Sequence, residues 1–136
     1  MKRIVLDTNI IISALFWKGY PRKVYELVRT GKVIIVSCEE MMVEFIRVLG
    51  YSRFGLAPQE ILPLVNNVRK NSHFVELKTK IAAIEEDPTD NIFLACAIDG
   101  EADYIISGDH HLLDLGSYEG VQIVRPKDFL IEKRLR

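Results

Sequence analysis

Apolar residues recur along the chain in two alternating patterns. The first is a short continuous run, Arg3-Ile4-Val5-Leu6, closed by Asp7. Runs of this kind fit a strand covered on both faces. A helical pattern opens at Thr8 or Asn9 and continues through Phe16, until Lys18-Gly19-Tyr20-Pro21 breaks it. Pro21 suits a first helical position, and Val24, Leu27 and Val28 give one apolar stripe of an amphipathic helix that ends at Gly31.

Val33–Val36 is a second buried run. Ser37 with Glu40 three residues on has the form of a capping box, opening a helix to about Leu49 whose apolar residues share one arc. Gly50 to Ala57 reads as a loop, and Pro58 opens a further helix to about Lys70, with Pro63 an irregularity in it. His73–Leu77 predicts a short strand. Asp87-Pro88 predicts the start of a helix through Ile98 that is apolar nearly all round and therefore buried, ended by Asp99-Gly100. Tyr104–Ser107 predicts a strand, His110–Leu115 a helical turn, Val121–Val124 a last strand, and Pro126 to about Lys133 a terminal helix. Strands that alternate with helices make crossovers, so an α/β fold with a parallel sheet between helices follows. No repeat or linker interrupts the pattern, and residues 1–136 read as a single domain. In such sheets, sites form beyond the carboxyl ends of the strands.

Composition adds one asymmetry. The chain of 136 residues is 49% hydrophobic with a formal net charge of −1, which excludes a disordered chain and a strongly basic nucleic-acid coat. The near-neutral total conceals 13 basic and 7 acidic residues in 1–80, against 5 basic and 12 acidic in 81–136. From Ile81 to Val124 there are ten acids and no Lys or Arg. A solvated acidic face or a cluster of metal-binding carboxylates would each account for this. Cys38 and Cys96 each sit in an apolar run and read as buried, unpaired thiols; no CxxC spacing exists. Only three apolar residues separate Met1-Lys2-Arg3 from Asp7, so no signal peptide is expected. The apolar stretch from Ile10 to Trp17 falls far short of the ~20 residues of a membrane span. A cytoplasmic protein without membrane association is the expectation.

Four acids stand where chemistry is expected. Asp7 ends the first strand and Asp109 follows a later one, in Ser107-Gly108-Asp109. Either could simply cap the next helix, but two at equivalent strand ends would face one crevice. Glu44 borders the apolar arc of its helix, where it can aim into a cleft or pair with Arg47 three residues on. Asp90 follows Asp87-Pro88-Thr89 at the start of the buried helix, where an acid also suits the helix dipole. Clustered carboxylates resist ionisation, and hard divalent cations such as Mg²⁺ or Mn²⁺ relieve them. One or two such ions would support phosphodiester hydrolysis. Thr8, Asn9, Asn91 and Ser107 could hold the carboxylates by hydrogen bonds or serve only in local turns. Adjacent helical residues point about 100° apart, so His110 and His111 are expected to be structural or solvated rather than to share an ion. His73 reads as a packing residue. The signatures GxSxG, P-loop and GxGxxG are absent, and an aspartyl-phosphate enzyme would want an acid where Asn9 stands.

These residues resemble the PIN domain, and in particular the VapC-like toxin ribonucleases of prokaryotic toxin–antitoxin systems. Asp7-Thr8-Asn9 is similar to the family's first motif, Glu44 to its second acid, Asp90 in Asp87-Pro88-Thr89-Asp90-Asn91 to its third, and Ser107-Gly108-Asp109 to its closing Ser/Thr-x-Asp motif. Trp17-Lys18-Gly19-Tyr20-Pro21 and Gly120 to Pro126 resemble a toxin branch of the family. The likeness runs from about Arg3 to Leu130 and rests on the order of the four acids. It implies a PIN-like three-layer α/β/α sandwich around a mostly parallel sheet of about five strands. It implies a single-strand endoribonuclease dependent on Mg²⁺ or Mn²⁺, a homodimer, and a cognate antitoxin that blocks the site. It further implies that Asp7, Glu44, Asp90 and Asp109 surround the metal. Asp87 competes for the third place; Asp90 is preferred because it directly precedes the buried helix. Lys18, Arg22, Lys23, Arg47 and Arg53 are candidates to flank the crevice and touch RNA phosphates, each equally readable as a solvated surface charge. An inactive RNA- or protein-binding module and a structure-specific DNA nuclease are the competing classes.

Overall fold

The computed structural model describes residues 1–84 and 89–135. In chain order the elements are β1 (Lys2–Leu6), α1 (Thr8–Phe16), α2 (Tyr20–Arg29), β2 (Val33–Ser37), α3 (Glu39–Leu49), α4 (Pro58–Lys70) and β3 (Ser72–Phe74). There follow α5 (Asp90–Asp99), β4 (Tyr104–Ile106), α6 (His110–Leu113), β5 (Ser117–Tyr118), β6 (Val121–Val124) and α7 (Pro126–Leu135). One sheet runs in the order β3-β2-β1-β4-β6-β5. Every pairing is parallel except β5 with β6.

Side chains alternate across this sheet and divide the core in two. Ile4 and Leu6 of β1, with Tyr104 and Ile106 of β4, pack under α1 to α4 and α7. Val5 and Ile105, from the same strands, pack with α5 and α6 on the opposite face. The result is helices on both sides of a mostly parallel sheet, as the alternating patterns predict. α5 shows the buried character expected of it, because Phe93, Leu94, Ala95, Cys96 and Ala97 all lose their solvent. Cys38 and Cys96 are both buried and unbridged. No helix among the described residues is long and apolar enough to cross a membrane.

Three local expectations give way. The sheet has six strands rather than about five, because Glu119 and Gly120 turn Ser117–Tyr118 back onto β6. Both turn residues have positive φ, 50° and 84°, as a two-residue hairpin with the right twist requires. Glu at the first of these positions hides the turn from a search for Asn-Gly or Asp-Gly. Ser37 is not a helix cap: it stays in β2, paired with Phe74, and its carbonyl accepts from the Val75 N–H at 2.9 Å. Strand pairing therefore takes Ser37, and α3 starts after Cys38 with no side-chain cap. β3 lies at residues 72–74 instead of 73–77, since β2 ends at Ser37 and offers later residues no ladder. Pro63 sits inside α4 without ending it. The expected helix start at Asp87-Pro88, like Glu85 and Glu86, lies outside the described residues.

Strand order places β1 and β4 side by side at the centre. The chain leaves β1 toward β2 on one side and leaves β4 toward β6 on the other. The carboxyl ends of these two strands form the crevice at which such sheets bind ligands.

Candidate metal centre

Asp7 is the first residue beyond β1. Its Oδ1 accepts from the Ile10 N–H at 2.9 Å and so caps α1. Its Oδ2 accepts from the Ser107 hydroxyl, which stands at the matching position beyond β4. Asp7 is 5% exposed and Ser107 fully buried. The Ser107 Oγ also accepts from the Asp109 N–H at 2.9 Å. One hydroxyl thus ties the two strand ends together and sets the spacing of two acids. Burial raises the Asp7 carboxyl above its ordinary value of 3.8. The Ser107 and Ile10 hydrogen bonds pull it back down, and the neighbouring Asp109 charge pushes it up again.

Asp109 caps α6, its Oδ1 accepting from the His111 N–H at 2.8 Å. That turn brings the His111 imidazole back over the acids. Its Nδ1 lies 3.6 Å from Asp109 Oδ1 and 3.9 Å from Asp90 Oδ2. Asp90 is the first residue of α5 and is 4% exposed. Ligand-capable atoms of Asp90, Asp109 and His111 all fall within 4.8 Å of one another. Two carboxylates and an imidazole at this spacing match the donor set of a divalent ion such as Mn²⁺, and the two oxygens alone suit Mg²⁺.

Glu44 reaches the same place from α3. Asp7, Glu44, Asp90 and Asp109 together line one cleft of about 90 Å³, with Thr8, Asn9, Val48, Thr89 and Phe93 completing its wall. The four predicted acids, carried by widely separated parts of the chain, therefore meet. A broader hollow of about 470 Å³ adjoins the cleft through Asp7, Asn9 and Asp109 and extends along Ser13, His110 and His111. Glu44 also pairs with Arg47, as their spacing allows. That partner keeps its carboxylate at the rim, where it is 21% exposed.

The supporting residues divide. Ser107 holds Asp7 as anticipated, and Thr8 and Asn9 stand in the cleft wall. Asn91 holds none of the four cleft acids among the described residues. Its amide accepts from the Ile84 N–H at 2.9 Å and donates to the Ile84 carbonyl at 2.8 Å, pinning the segment before α5. Among the basic candidates, Arg22 is committed to structure, because its guanidinium donates to the Ala14 and Leu15 carbonyls at the end of α1. Those carbonyls are orphaned by the helix end and take a cation well. Lys18, Lys23, Arg47 and Arg53 remain exposed. His111, expected from the sequence to be structural or solvated, instead stands at ligand spacing from two acids. The usable signal was its place two residues after a capping Asp, where the cap bond fixes the turn.

Over residues 3–111 the sequence matches the family model described as PIN domain. A search of curated proteins finds no significant sequence match. Among solved structures, the chain is similar to one from the crystal structure of VapBC2 from Rickettsia felis bound to a DNA fragment from their promoter. The TM-score is 0.59 at 10% identity, over 89% of this chain and 96% of that one. It is also similar to the PIN domain of RRP44 from T. brucei, with a TM-score of 0.52 at 14% identity, over 98% of this chain and 82% of that one. At such identities the likeness is one of fold.

Proposed function

The chain belongs to the PIN domain family, and from that premise we propose that it is a metal-dependent endoribonuclease that hydrolyses phosphodiester bonds in single-stranded RNA. The observation that carries this reading is the meeting of Asp7, Glu44, Asp90 and Asp109 in one cleft, with Asp90, Asp109 and His111 at ligand spacing. Unneutralised, these acids would repel a phosphate backbone. A bound Mg²⁺ or Mn²⁺, one ion or two, would supply Lewis-acid stabilisation of the phosphoryl charge and a nucleophile at neutral pH.

The protein's own part is positioning. Asp90, Asp109 and His111 are the residues to hold the ion. Asp7 is buried and fixed by two donors, so it presents a carboxylate of set orientation at the cleft floor. Glu44 lines the same cleft from α3, steadied by Arg47. The adjoining hollow gives a single strand room to reach the acids, whereas the narrow cleft itself admits little more than a phosphate edge. The sequence resemblance to VapC-like toxins and the shared fold with the VapBC2 structure support a role as the toxin of a toxin–antitoxin pair. A homodimer, a cognate antitoxin and a cytoplasmic location go with that role.

The test is cleavage of labelled single-stranded RNA and of flap DNA in parallel, with Mg²⁺ or Mn²⁺. RNA cleavage that stops with EDTA and falls sharply in Asp7→Asn is expected. Asp7→Asn cleaving as fast as the wild type would overturn the assignment. Preference for flap DNA would favour a structure-specific DNA nuclease, and absence of Mn²⁺ binding at millimolar metal a binding module.

A further inference from the structure

A track of rings and guanidinium groups leads away from the acid cleft. It begins at Arg47, which pairs with Glu44 and donates to the Tyr51 hydroxyl at 2.8 Å. The Arg53 guanidinium lies 5.5 Å from the Tyr51 ring centre and 4.9 Å from that of Phe54. Phe54 stacks on Phe16 at 5.6 Å with 15° between planes, and Phe16 meets Trp17 edge-on at 5.9 Å. The end of α1 and the turn after α3 thus converge on one surface. Trp17 is 57% exposed and Tyr51 39%, unusual for rings with so much apolar area to bury. The acids sit at the other end of α1, roughly 14 Å from Trp17 at 1.5 Å per residue.

We propose that this track binds the bases and phosphates of a single strand flanking the bond held in the cleft, an inference that rests on the nuclease assignment. Exposed rings interleaved with arginines are the chemistry of sequence-tolerant single-strand binding, in which bases stack on rings and cations meet the backbone. Charge complementarity selects the occupant: Arg47 offsets the Glu44 carboxylate at the start of the track and Arg53 adds an exposed cation between the rings, so an anionic ligand with planar groups fits. Continuity with the cleft through the Arg47–Glu44 pair supports the same choice over a separate protein partner. The rings explain what the basic residues alone do not, namely how a chain of near-neutral charge could hold RNA. Arg22 is spent on α1, so affinity must come partly from stacking.

Trp17 is the chain's single tryptophan, so its fluorescence reports on the track alone. The experiment mixes the full chain in Mg²⁺ with a single-stranded RNA oligonucleotide, or with the same oligonucleotide made abasic on one flank, then on the other. Tryptophan emission and strand cleavage are followed together. Quenching by the RNA but not by one of the abasic forms is expected, with kcat/KM lower for that form. Stacking of one base is worth roughly a fivefold to hundredfold change, so Tyr51→Ala should weaken RNA binding within that range and Trp17→Ala should erase the discrimination. Equal quenching by all three strands, or none, overturns the track. Cleavage without quenching would leave the nuclease intact and assign the rings to a protein partner. Base-dependent quenching without cleavage would keep the track and reject the nuclease.

Discussion

Replacing Ser107 with alanine removes one oxygen that serves two acids. The Ser107 hydroxyl is fully buried, donates to Asp7 and accepts from the Asp109 N–H. A hydrogen bond to a charged group contributes about 1.5–3 kcal/mol, and a buried N–H left unmatched costs about 1–3 kcal/mol. Asp109 is half-buried, so water can recover part of the second loss. Ser107→Ala is therefore expected to destabilise the metal-free protein by about 2–4 kcal/mol at neutral pH. The same bond holds the Asp7 carboxyl down against its burial, so the variant should push Asp7 further up. The loss should accordingly shrink as pH falls and Asp7 takes a proton. Urea unfolding at a neutral and an acidic pH reads both effects. Because the hydroxyl sets the spacing of two cleft acids, Mn²⁺ affinity should drop by about 10–100-fold. Ser107→Thr, which keeps the hydroxyl, should recover much of it. An unchanged urea midpoint and metal affinity in Ser107→Ala would refute the role given to this residue.

Two further outcomes follow from buried groups. The Asp7 carboxyl is raised above 3.8 by burial, so between that value and its native one the folded state binds more protons than the unfolded state. Stability from this group then falls as pH rises through the window, and metal-free Asp7→Asn should show a flatter dependence than wild type in thermal melts across it. Gly100 is a packing glycine: a Cβ there would lie 2.1 Å from Val36 Cγ1 and 2.9 Å from the Cys96 carbonyl. Gly100→Ala should cost about 1–3 kcal/mol by urea unfolding, and less in a Val36→Ala background, where the obstructing methyl is gone.

The parts legible in the sequence were those in which one residue pattern has one physical solution. Continuous apolar runs such as Ile4–Leu6 and Tyr104–Ile106 have to be central strands, and an Asp one residue beyond the first and three beyond the second is carried to the same crevice by a right-handed parallel sheet. Asp7 and Asp109 were therefore readable, and Asp90 was readable from its place before an all-round apolar helix. Glu44 was readable only as a border residue whose direction the apolar arc left open. What escaped depended on partners distant in sequence. Ser37 looks like a cap until Phe74 pairs with it. Asn91 looks like a carboxylate support until Ile84 claims both ends of its amide. Arg22 looks like a phosphate contact until α1 ends against it. His111 looks solvated beside His110 until the Asp109 cap turns its Nδ1 toward Asp90 and Asp109, with the His110 ring centre only 4.1 Å from its own and both rings lining the outer hollow.

Calorimetric titration of Mn²⁺ into the wild type and into the Asp90→Asn/Asp109→Asn double variant tests the metal centre most directly. Asparagine keeps the size of both side chains and the capping capacity of residue 109, so the fold should survive. Saturable binding to the wild type and its loss in the double variant are expected. Equal binding by both proteins, or none by the wild type, would contradict a divalent-ion site built on these acids.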